Sequence, residues 1–497
     1  MDGRSTGPVV EVRAGALAGR VLDGVSSFLG IPYAAAPFGA NRMRPPRPVE
    51  PWSGVRAATE YGPTSPKGDH PPRFRPLVPE VVIPGEECLN LNVWTPDPDA
   101  SGLPVLVWVH GGAFMNGSGS MGGYDGTAFA RDGVVCVTIN YRLAADGFLF
   151  LDDGVANLGL LDQVAALRWV QDNISAFGGD PSRVTLAGES AGATSVAALL
   201  SMPLADGLFA RAIMQSGVAA AVLTPRLGVM MGESLADALG VEPTREAIAA
   251  VPLDRLVRTA SDLVTEVRTA PDPARWGELA VGLLPFAPVV DGEVLPRMPV
   301  EAFADGQGAG VPVLVGSNRD EARLVLVPGG GIVLVDDAAL LSTAGAYGLG
   351  SEAVAVYRAN RPGASPGDVL AAILTDWYYG VPALRLAEAR AGATTWVYRF
   401  DHPEPEANHG LGACHAVDLP FVFDTIARED FRPLIGDTPS QAVADTLHGT
   451  WVTFITDGDP GWAPYTPHTR TTALLTDEVQ VVHDLARGER LLWDGIR

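Results

Sequence analysis

The chain has 497 residues, of which 47% are hydrophobic and 19% charged, so it has enough apolar side chains to bury a large core and does not belong to the disordered class. Its formal net charge of −23 repels phosphate groups, which argues against nucleic acid or an anionic membrane as a partner. Its cysteines are too few for the disulfide framework of a small secreted fold: Cys88, Cys136 and Cys414.

The N-terminal residues and the apolar segments predict a chain without a targeting or membrane segment. Residues 1–12 carry Asp2, Arg4 and Pro8, where a signal peptide needs an unbroken apolar stretch. Apolar runs elsewhere are interrupted by Gly, Pro or Asp before they reach about 18 residues, the length of a membrane helix. We therefore expect a soluble, cytoplasmic protein.

Short β-rich apolar runs alternate with helical patterns, which is typical of an α/β fold with a largely parallel sheet. Short antiparallel strands are expected first, over residues 9–33. The strand candidates that follow are residues 105–109, 134–139, 184–187, 311–315 and 395–400. Apolar residues at helical spacing predict a helix over residues 158–174.

Two long stretches, residues 223–276 and 326–393, are rich in Ala, Leu and Glu and have few strand-like runs. A helical pattern of this length between strand candidates is an insertion into the alternating order. We interpret both stretches as cap or regulatory subdomains over one end of the sheet, within a single domain spanning residues 1–497.

A G-x-S-x-G pattern surrounds three serines, Ser5, Ser190 and Ser365, so the neighbouring sequence has to distinguish them. Only Ser190 follows a predicted buried strand and precedes a helical run, residues 191–200. This is the context of a nucleophile elbow, in which a strained turn exposes the hydroxyl and only Gly leaves room on either side. The alternative is a glycine-rich strand-to-helix turn that merely packs closely.

A second glycine-rich loop follows the strand candidate at residues 105–109. In it, Gly111 and Gly112 follow His110, and consecutive glycines can turn their N–H groups toward one point, as a tetrahedral oxyanion requires. Together with the N–H of Ala191 they predict an oxyanion hole of three donors. We expect His110 to orient this loop by hydrogen bonding. The alternative is a glycine-rich hairpin without a catalytic role.

Seven stretches of the chain occur in the order typical of one known family. They are residues 86–93, 104–114, 138–143, 157–163, 177–181, 185–192 and 410–423. With them the chain resembles the type-B carboxylesterases of the α/β-hydrolase fold, closest in character to bacterial carboxylesterases of the p-nitrobenzyl esterase type. The resemblance implies a central, mostly parallel mixed sheet flanked by helices, with a small N-terminal antiparallel sheet.

The resemblance also implies two partners for Ser190. Family members carry the acid, a glutamate, in a loop shaped like residues 316–321, which implies Glu321, although position in the chain alone leaves Asp320 open. The base belongs to the loop after residues 395–400, which contains three histidines: His402, His409 and His415. The last of these fits the family pattern Gly-x-x-His-x-x-Asp-Leu, which implies His415 as the base.

The function implied by the resemblance is that of a serine carboxylic ester hydrolase. It would act through an acyl-enzyme on small to medium apolar esters, without a metal or organic cofactor, and its expected partner is a small-molecule ester. An acyltransferase or amidase with the same residues, and a non-catalytic binding protein of the same fold, are the alternatives. The side chains predicted to line the substrate pocket are Met115, Phe286 and Phe421. Ordinary burial in the hydrophobic core is the alternative for all three.

The segment from Ser65 to Cys88 departs from the family pattern. Secreted members often close a loop here by a disulfide, and this chain has Ser65 where the resemblance places the first cysteine. The segment also lacks the Trp with which cholinesterases hold a quaternary ammonium. We therefore expect no such disulfide and no choline ester as substrate. Glu189 and Ser216 resemble the family's supporting polar network, with ordinary buried hydrogen bonding as the alternative.

Overall fold

The computed structural model describes residues 7–217, 221–282 and 284–496, and within these residues the strands form two sheets. The strands are β1 (Val9–Val12), β2 (Gly15–Ala18), β3 (Arg20–Leu22), β4 (Val25–Pro32), β5 (Val55–Ala57), β6 (Asn90–Thr95), β7 (Leu103–Val109), β8 (Val135–Ile139), β9 (Gly179–Glu189), β10 (Arg211–Gln215), β11 (Val313–Asn318), β12 (Thr395–Phe400), β13 (Thr471–Leu475) and β14 (Val479–His483). Ser5, the first of the three candidate serines, lies outside the described residues.

The helices fill the intervals between most of these strands. They are α1 (Thr127–Arg131), α2 (Ala144–Phe148), α3 (Leu158–Asn173), α4 (Ala191–Ser201), α5 (Pro225–Leu239), α6 (Arg245–Ala249), α7 (Leu253–Thr269), α8 (Pro273–Trp276), α9 (Pro299–Ala304), α10 (Arg323–Leu326), α11 (Asp337–Ala346), α12 (Ser351–Ala359), α13 (Pro366–Thr375), α14 (Val381–Ala389), α15 (Leu419–Val422), α16 (Arg432–Ile435), α17 (Gln441–Asp457) and α18 (Arg487–Arg490). A π-helical turn, Asp376–Gly380, joins α13 to α14. Among the helices described, none combines the length and apolar character that a membrane span needs.

The large sheet has eleven strands in the order β14-β13-β12-β11-β10-β9-β7-β8-β6-β4-β3. The seven strands from β13 to β8 run parallel to their neighbours, whereas both ends of the sheet are antiparallel. The central strands are apolar almost throughout because helices cover both faces of a parallel sheet. The carboxyl ends of β7, β9, β11 and β12 therefore open at one edge.

Alternate residues of β7 show how the sheet divides the core. Val105, Val107 and Val109 belong to one apolar cluster, which also contains the buried side chains of α3 and α4. Leu106 and Trp108 belong to a second cluster, built with α15 and α17. Because successive strand residues point to opposite faces, one helical layer covers each face of the sheet.

The N-terminal strands differ from the expected small antiparallel sheet. β1 and β2 are antiparallel, but β5 pairs with β2 in parallel, so the three-stranded sheet is mixed. β3 and β4 instead extend the large sheet, because β4 pairs with β6 through residues such as Phe28 opposite Val93. Phe28 is fully buried there, which favours this pairing over a separate hairpin.

The two predicted helical insertions pack in different ways. Residues 223–276 contain α5 to α8, whose apolar residues join the cluster of α3 and α4. Residues 326–393 contain α11 to α14, and α11, α12 and α13 build a third apolar cluster with the C-terminal Trp493. Their role as cap or regulatory subdomains stays a prediction.

Candidate active site

Ser190 lies in the sharp turn between β9 and α4, with φ +56° and ψ −121°. Little room remains on either side of this turn. A Cβ on Gly188 would lie 2.6 Å from the carbonyl carbon of Gly192, and a Cβ on Gly192 would lie 2.0 Å from the carbonyl oxygen of Val109. Strand, turn and helix therefore meet so closely that only glycine fits at both positions, which is the geometry of a nucleophile elbow.

The imidazole of His415 joins Ser190 to Glu321. Its Nε2 lies 2.8 Å from the Ser190 Oγ, and its Nδ1 lies 2.7 Å from Oε2 of Glu321. The other oxygen of Glu321 accepts from the backbone N–H of Asn318 at 2.8 Å, which fixes the carboxylate. Hydroxyl, imidazole and carboxylate thus form one continuous chain of hydrogen bonds.

The alternative candidates for the acid, the base and the nucleophile make other contacts. Asp320 accepts from the backbone N–H of Ala413 at 3.1 Å rather than from the imidazole. His402 packs against the aromatic ring of Phe421. Ser365 caps α13 in a capping box, so its G-x-S-x-G pattern belongs to a helix start. These placements leave Ser190, Glu321 and His415 as the assembled set.

A second carboxyl group lies beside the same imidazole. Oε1 of Glu189 is 3.1 Å from Nε2 of His415, and burial raises the pKa of Glu189 to about 8. Burial opposes the charged imidazolium, but the carboxyl groups of Glu189 and Glu321 outweigh it and raise the pKa of His415 to about 9. The carboxyl groups around His415 therefore favour the charged form of its imidazole.

Several supporting residues were not predicted from the sequence. Tyr379, in the π-helical turn, places its ring 4.8 Å from that of His415. The carboxylate of Asp418 accepts from Gln215 at 2.7 Å and from Asn318 at 3.1 Å. Gln215 and Asn318 are polar residues that end parallel strands, a signal available in the sequence. Tyr379 has no such signal in the sequence, because it lies in a helical insertion and not at the end of a strand.

The predicted oxyanion donors border Ser190. A Cβ on Gly111 would lie 3.1 Å from the Ser190 Cβ, and Ala191 opens α4, where an N–H has no partner within the helix. Within the described residues, the N–H groups of Gly111 and Gly112 donate to no backbone carbonyl. His110 is buried, and its Nδ1 lies 2.8 Å from the carbonyl oxygen of Gly111. Burial lowers the pKa of His110 to about 4.

The residues predicted to line a substrate pocket are all buried, and their role stays a prediction. Met115 and Phe286 belong to one apolar cluster, whereas Phe421 belongs to the other, where it contacts Phe400. Ser216 has φ +51°, and its buried hydroxyl has no hydrogen-bond partner among the residues that the structure describes. Over the residues described, no group of three His, Cys, Asp or Glu side chains is arranged to hold a metal ion.

Comparisons with known proteins agree over nearly the whole chain. The model of the carboxylesterase family matches residues 6–491. A para-nitrobenzyl esterase of Bacillus subtilis is 37% identical over 496 residues, which cover 96% of this chain and 97% of that protein. A phenmedipham hydrolase of Pseudarthrobacter oxydans is 35% identical, with 98% of this chain and 99% of that protein covered.

Solved structures give the same result. The crystal structure of a carboxylesterase from Geobacillus stearothermophilus matches with a TM-score of 0.85 and 38% identity, over 98% of this chain and 99% of that chain. Such a match covers the sheet, the loops at its carboxyl edge and the helical insertions together. The chain therefore belongs to the carboxylesterase family, the carboxylic ester hydrolases with the α/β-hydrolase fold.

Proposed function

We propose that this carboxylesterase forms its acyl-enzyme on Ser190. His415 takes the hydroxyl proton as the oxygen attacks the ester carbonyl, and Glu321 orients the imidazole and stabilises its charge. His415 then gives the proton to the leaving alcohol, and water repeats the sequence to release the acid. The contact of 2.8 Å between the Ser190 Oγ and Nε2 of His415 carries this proposal.

The oxyanion formed in each half-reaction binds to the N–H groups of Gly111, Gly112 and Ala191. Two of them come from the loop after β7, and the third comes from the first residue of α4. Removal of one donor from such a hole costs about 2.7–4 kcal/mol of transition-state stabilisation. These amides therefore supply a large share of the rate enhancement.

The substrates we propose are small to medium apolar esters. The apolar walls that we propose for the substrate pocket are Met115, Phe286 and Phe421, all of them buried. The relative named para-nitrobenzyl esterase supports a small aromatic ester as the first compound to try. Transfer to an alcohol or amine would use the same acyl-enzyme, so product analysis with added acceptors distinguishes hydrolysis from acyl transfer.

A panel of p-nitrophenyl esters of increasing acyl length tests the nucleophile and the substrate class together. We expect the wild type to hydrolyse these esters and Ser190→Ala to lose at least about 10³-fold in kcat/KM, because the residual rate depends on binding and the oxyanion hole alone. Ser365→Ala is the matched control, since it alters an equivalent motif that caps α13. Full turnover by Ser190→Ala would contradict the proposal.

A further inference from the structure

The chain contains a single lysine, Lys67, among 35 basic residues. It lies in the segment between β5 and β6, and its side chain is only 1% exposed. Burial of an ammonium group is costly unless the charge is paired, because the group loses its hydration. The groups that pair with the buried ammonium therefore indicate which part of the structure Lys67 contacts.

Lys67 lies between an acidic side chain and the backbone of the glycine-rich loop. Its Nζ is 2.7 Å from Oε1 of Glu80 and donates to the carbonyl oxygen of Gly117 at 2.8 Å. Oε2 of Glu80 accepts from the N–H of Gly117 at 3.1 Å and is 3.1 Å from Nε2 of His70. One ion pair, named here the Lys67–Glu80 clamp, thus binds both polar backbone groups of Gly117.

Burial lowers the pKa of Lys67 from its usual value, and the neighbouring Glu80 opposes this shift. Burial on its own would raise the pKa of Glu80, but the contacts with His70 and Lys67 outweigh it and lower the pKa to about 2. Glu80 therefore remains a carboxylate throughout the pH range in which an esterase is assayed. A hydrogen bond from the Asn116 side chain to the carbonyl oxygen of Gly68, at 2.6 Å, adds a second link between the same two segments.

Gly117 is packed directly against the predicted oxyanion donors. It has φ +90°, and a Cβ on it would lie 2.4 Å from the carbonyl oxygen of Gly111 and 2.6 Å from Nδ1 of His110. The N–H of Asn116 donates to the carbonyl oxygen of Gly112 at 2.9 Å. A shift of Gly117 is therefore transmitted to the peptide groups that flank the oxyanion site.

We propose that the Lys67–Glu80 clamp positions the loop of residues 110–117, so that the N–H groups of Gly111 and Gly112 face the ester carbonyl. The inference rests on the function proposed above. Lys67 acts through the backbone of Gly117, so it is a positioning residue. A buried ion pair adds little net stability compared with an apolar pair, whereas it holds its hydrogen-bonded partners in one geometry. Oxyanion stabilisation depends on such geometry, because the donors must lie about 2.7–3.1 Å from the oxyanion.

Variants of the clamp are compared with a variant at an exposed ion pair. Lys67→Met and Glu80→Gln each remove one charge, and Lys67→Arg restores the positive charge. Arg258→Met is the control, because its ion pair with Asp254 is exposed, at 67% and 76%. We expect kcat/KM to fall about 10- to 100-fold in Lys67→Met, to recover in part in Lys67→Arg and to stay unchanged in Arg258→Met.

Two inhibitors separate positioning from general damage to the fold. A trifluoromethyl ketone forms a tetrahedral oxyanion on the nucleophile, whereas a neutral alcohol product does not. In Lys67→Met we expect the ketone to bind more weakly by the same factor as kcat/KM, with alcohol binding within about 2-fold of wild type. Unchanged ketone affinity, or an equal loss for both inhibitors, would overturn the proposal.

The result also distinguishes the clamp from the proposed function. A fluorophosphonate that modifies Ser190 in the wild type supports the acyl-enzyme mechanism independently of Lys67. If Ser190 is modified and Lys67→Met behaves like the wild type, the proposed positioning role of the clamp is wrong, whereas the proposed function stands. If Ser190 is not modified, the proposed function fails first.

Wild-type protein provides a test that does not depend on the folding of any variant. Because the chain has one lysine, protein made with isotopically labelled lysine gives a single side-chain NMR signal, that of Lys67. We expect this signal to shift when the trifluoromethyl ketone binds, because the charge of the oxyanion polarises the peptide groups between its donors and Gly117. A signal that stays unchanged at saturation would overturn the coupling.

Discussion

Oε1 of Glu189 lies 3.1 Å from Nε2 of His415, the ring nitrogen that also contacts the Ser190 Oγ at 2.8 Å. One nitrogen thus contacts both the hydroxyl of the proposed nucleophile and a carboxyl group. Burial raises the pKa of Glu189 to about 8, and the surrounding carboxyl groups raise the pKa of His415 to about 9 in spite of its burial. The charge on each of these two groups therefore affects the pKa of the other.

The first prediction concerns the pH dependence of ester hydrolysis. Protonated His415 cannot accept the proton of Ser190, so activity is present above the pKa of the imidazole and lost below it. We expect kcat/KM for a neutral ester to rise between pH 6 and 9, with a midpoint well above the usual histidine value of about 6.5. Initial rates across this range measure the midpoint, and a value at or below 6.5 would contradict the prediction.

The second prediction is that Glu189→Gln lowers this midpoint. Burial lowers the pKa of His415, and the negative charge of Glu189 is the largest of the contributions that raise it. Glutamine carries no charge, so the imidazolium of the variant loses its proton at a lower pH. The same pH profile measures the shift, and Glu278→Gln, at an exposed ion pair, is the control that leaves the midpoint unchanged.

The third prediction separates two adjacent carboxylates. Glu321→Gln is expected to lower kcat by about 10⁴-fold, because the imidazole loses the group that orients it and stabilises its charge. Asp320→Asn is the matched variant. Since Asp320 holds Ala413 and Arg319 rather than His415, we expect a loss of less than about 10-fold. Equal losses of kcat in the two variants would contradict the assignment of Glu321 as the acid.

The fourth prediction concerns the oxyanion donors. A Cβ on Gly111 would lie 2.6 Å from Oε2 of Glu189 and 3.1 Å from the Ser190 Cβ, so Gly111→Ala has to displace the loop. We expect about a 10²-fold loss of kcat/KM. Gly345→Ala is the control and should keep full activity, because the added Cβ in α11 has no atom within 4 Å apart from its chain neighbours and its own helix backbone. Steady-state kinetics of both variants measure kcat/KM, and an equal loss in the two would contradict the prediction.

The fifth prediction concerns stability away from the site. Arg142 and Asp162 form a bidentate ion pair in which both side chains are buried, and Arg142 also donates to the backbone of Arg44. Asp162→Asn leaves the buried guanidinium without its counter-charge, so we expect a loss of about 3–5 kcal/mol in the free energy of unfolding. Denaturant unfolding measures it. Asp254→Asn, at an exposed pair, is the control and should cost less than about 1 kcal/mol.

Local patterns predicted part of this site and the tertiary structure decided the rest. Ser190 was predictable because the elbow depends on neighbours in the chain, a strand before and a helix after. The family resemblance selected His415 from three histidines and Glu321 from two acids. The contact between Glu189 and His415 was not predicted, since it depends on how the loop after β12 folds back over β9. The contact between Tyr379 and His415 was not predicted either, because Tyr379 lies in the second helical insertion, far from His415 in the sequence.

By itself the sequence determined the alternation of strands and helices, five strands of the parallel region, the strand-to-turn-to-helix motif at Ser190 and the glycine-rich loop at Gly111. These features depend on backbone conformation and on the alternation of apolar residues, which are local properties of the chain. Only the tertiary structure decided that β3 and β4 extend the large sheet and that β5 joins β2 in parallel. It alone also decided which carboxyl groups surround His415 and that Lys67 binds Gly117, because pairing of distant segments is set by the packing of the whole core.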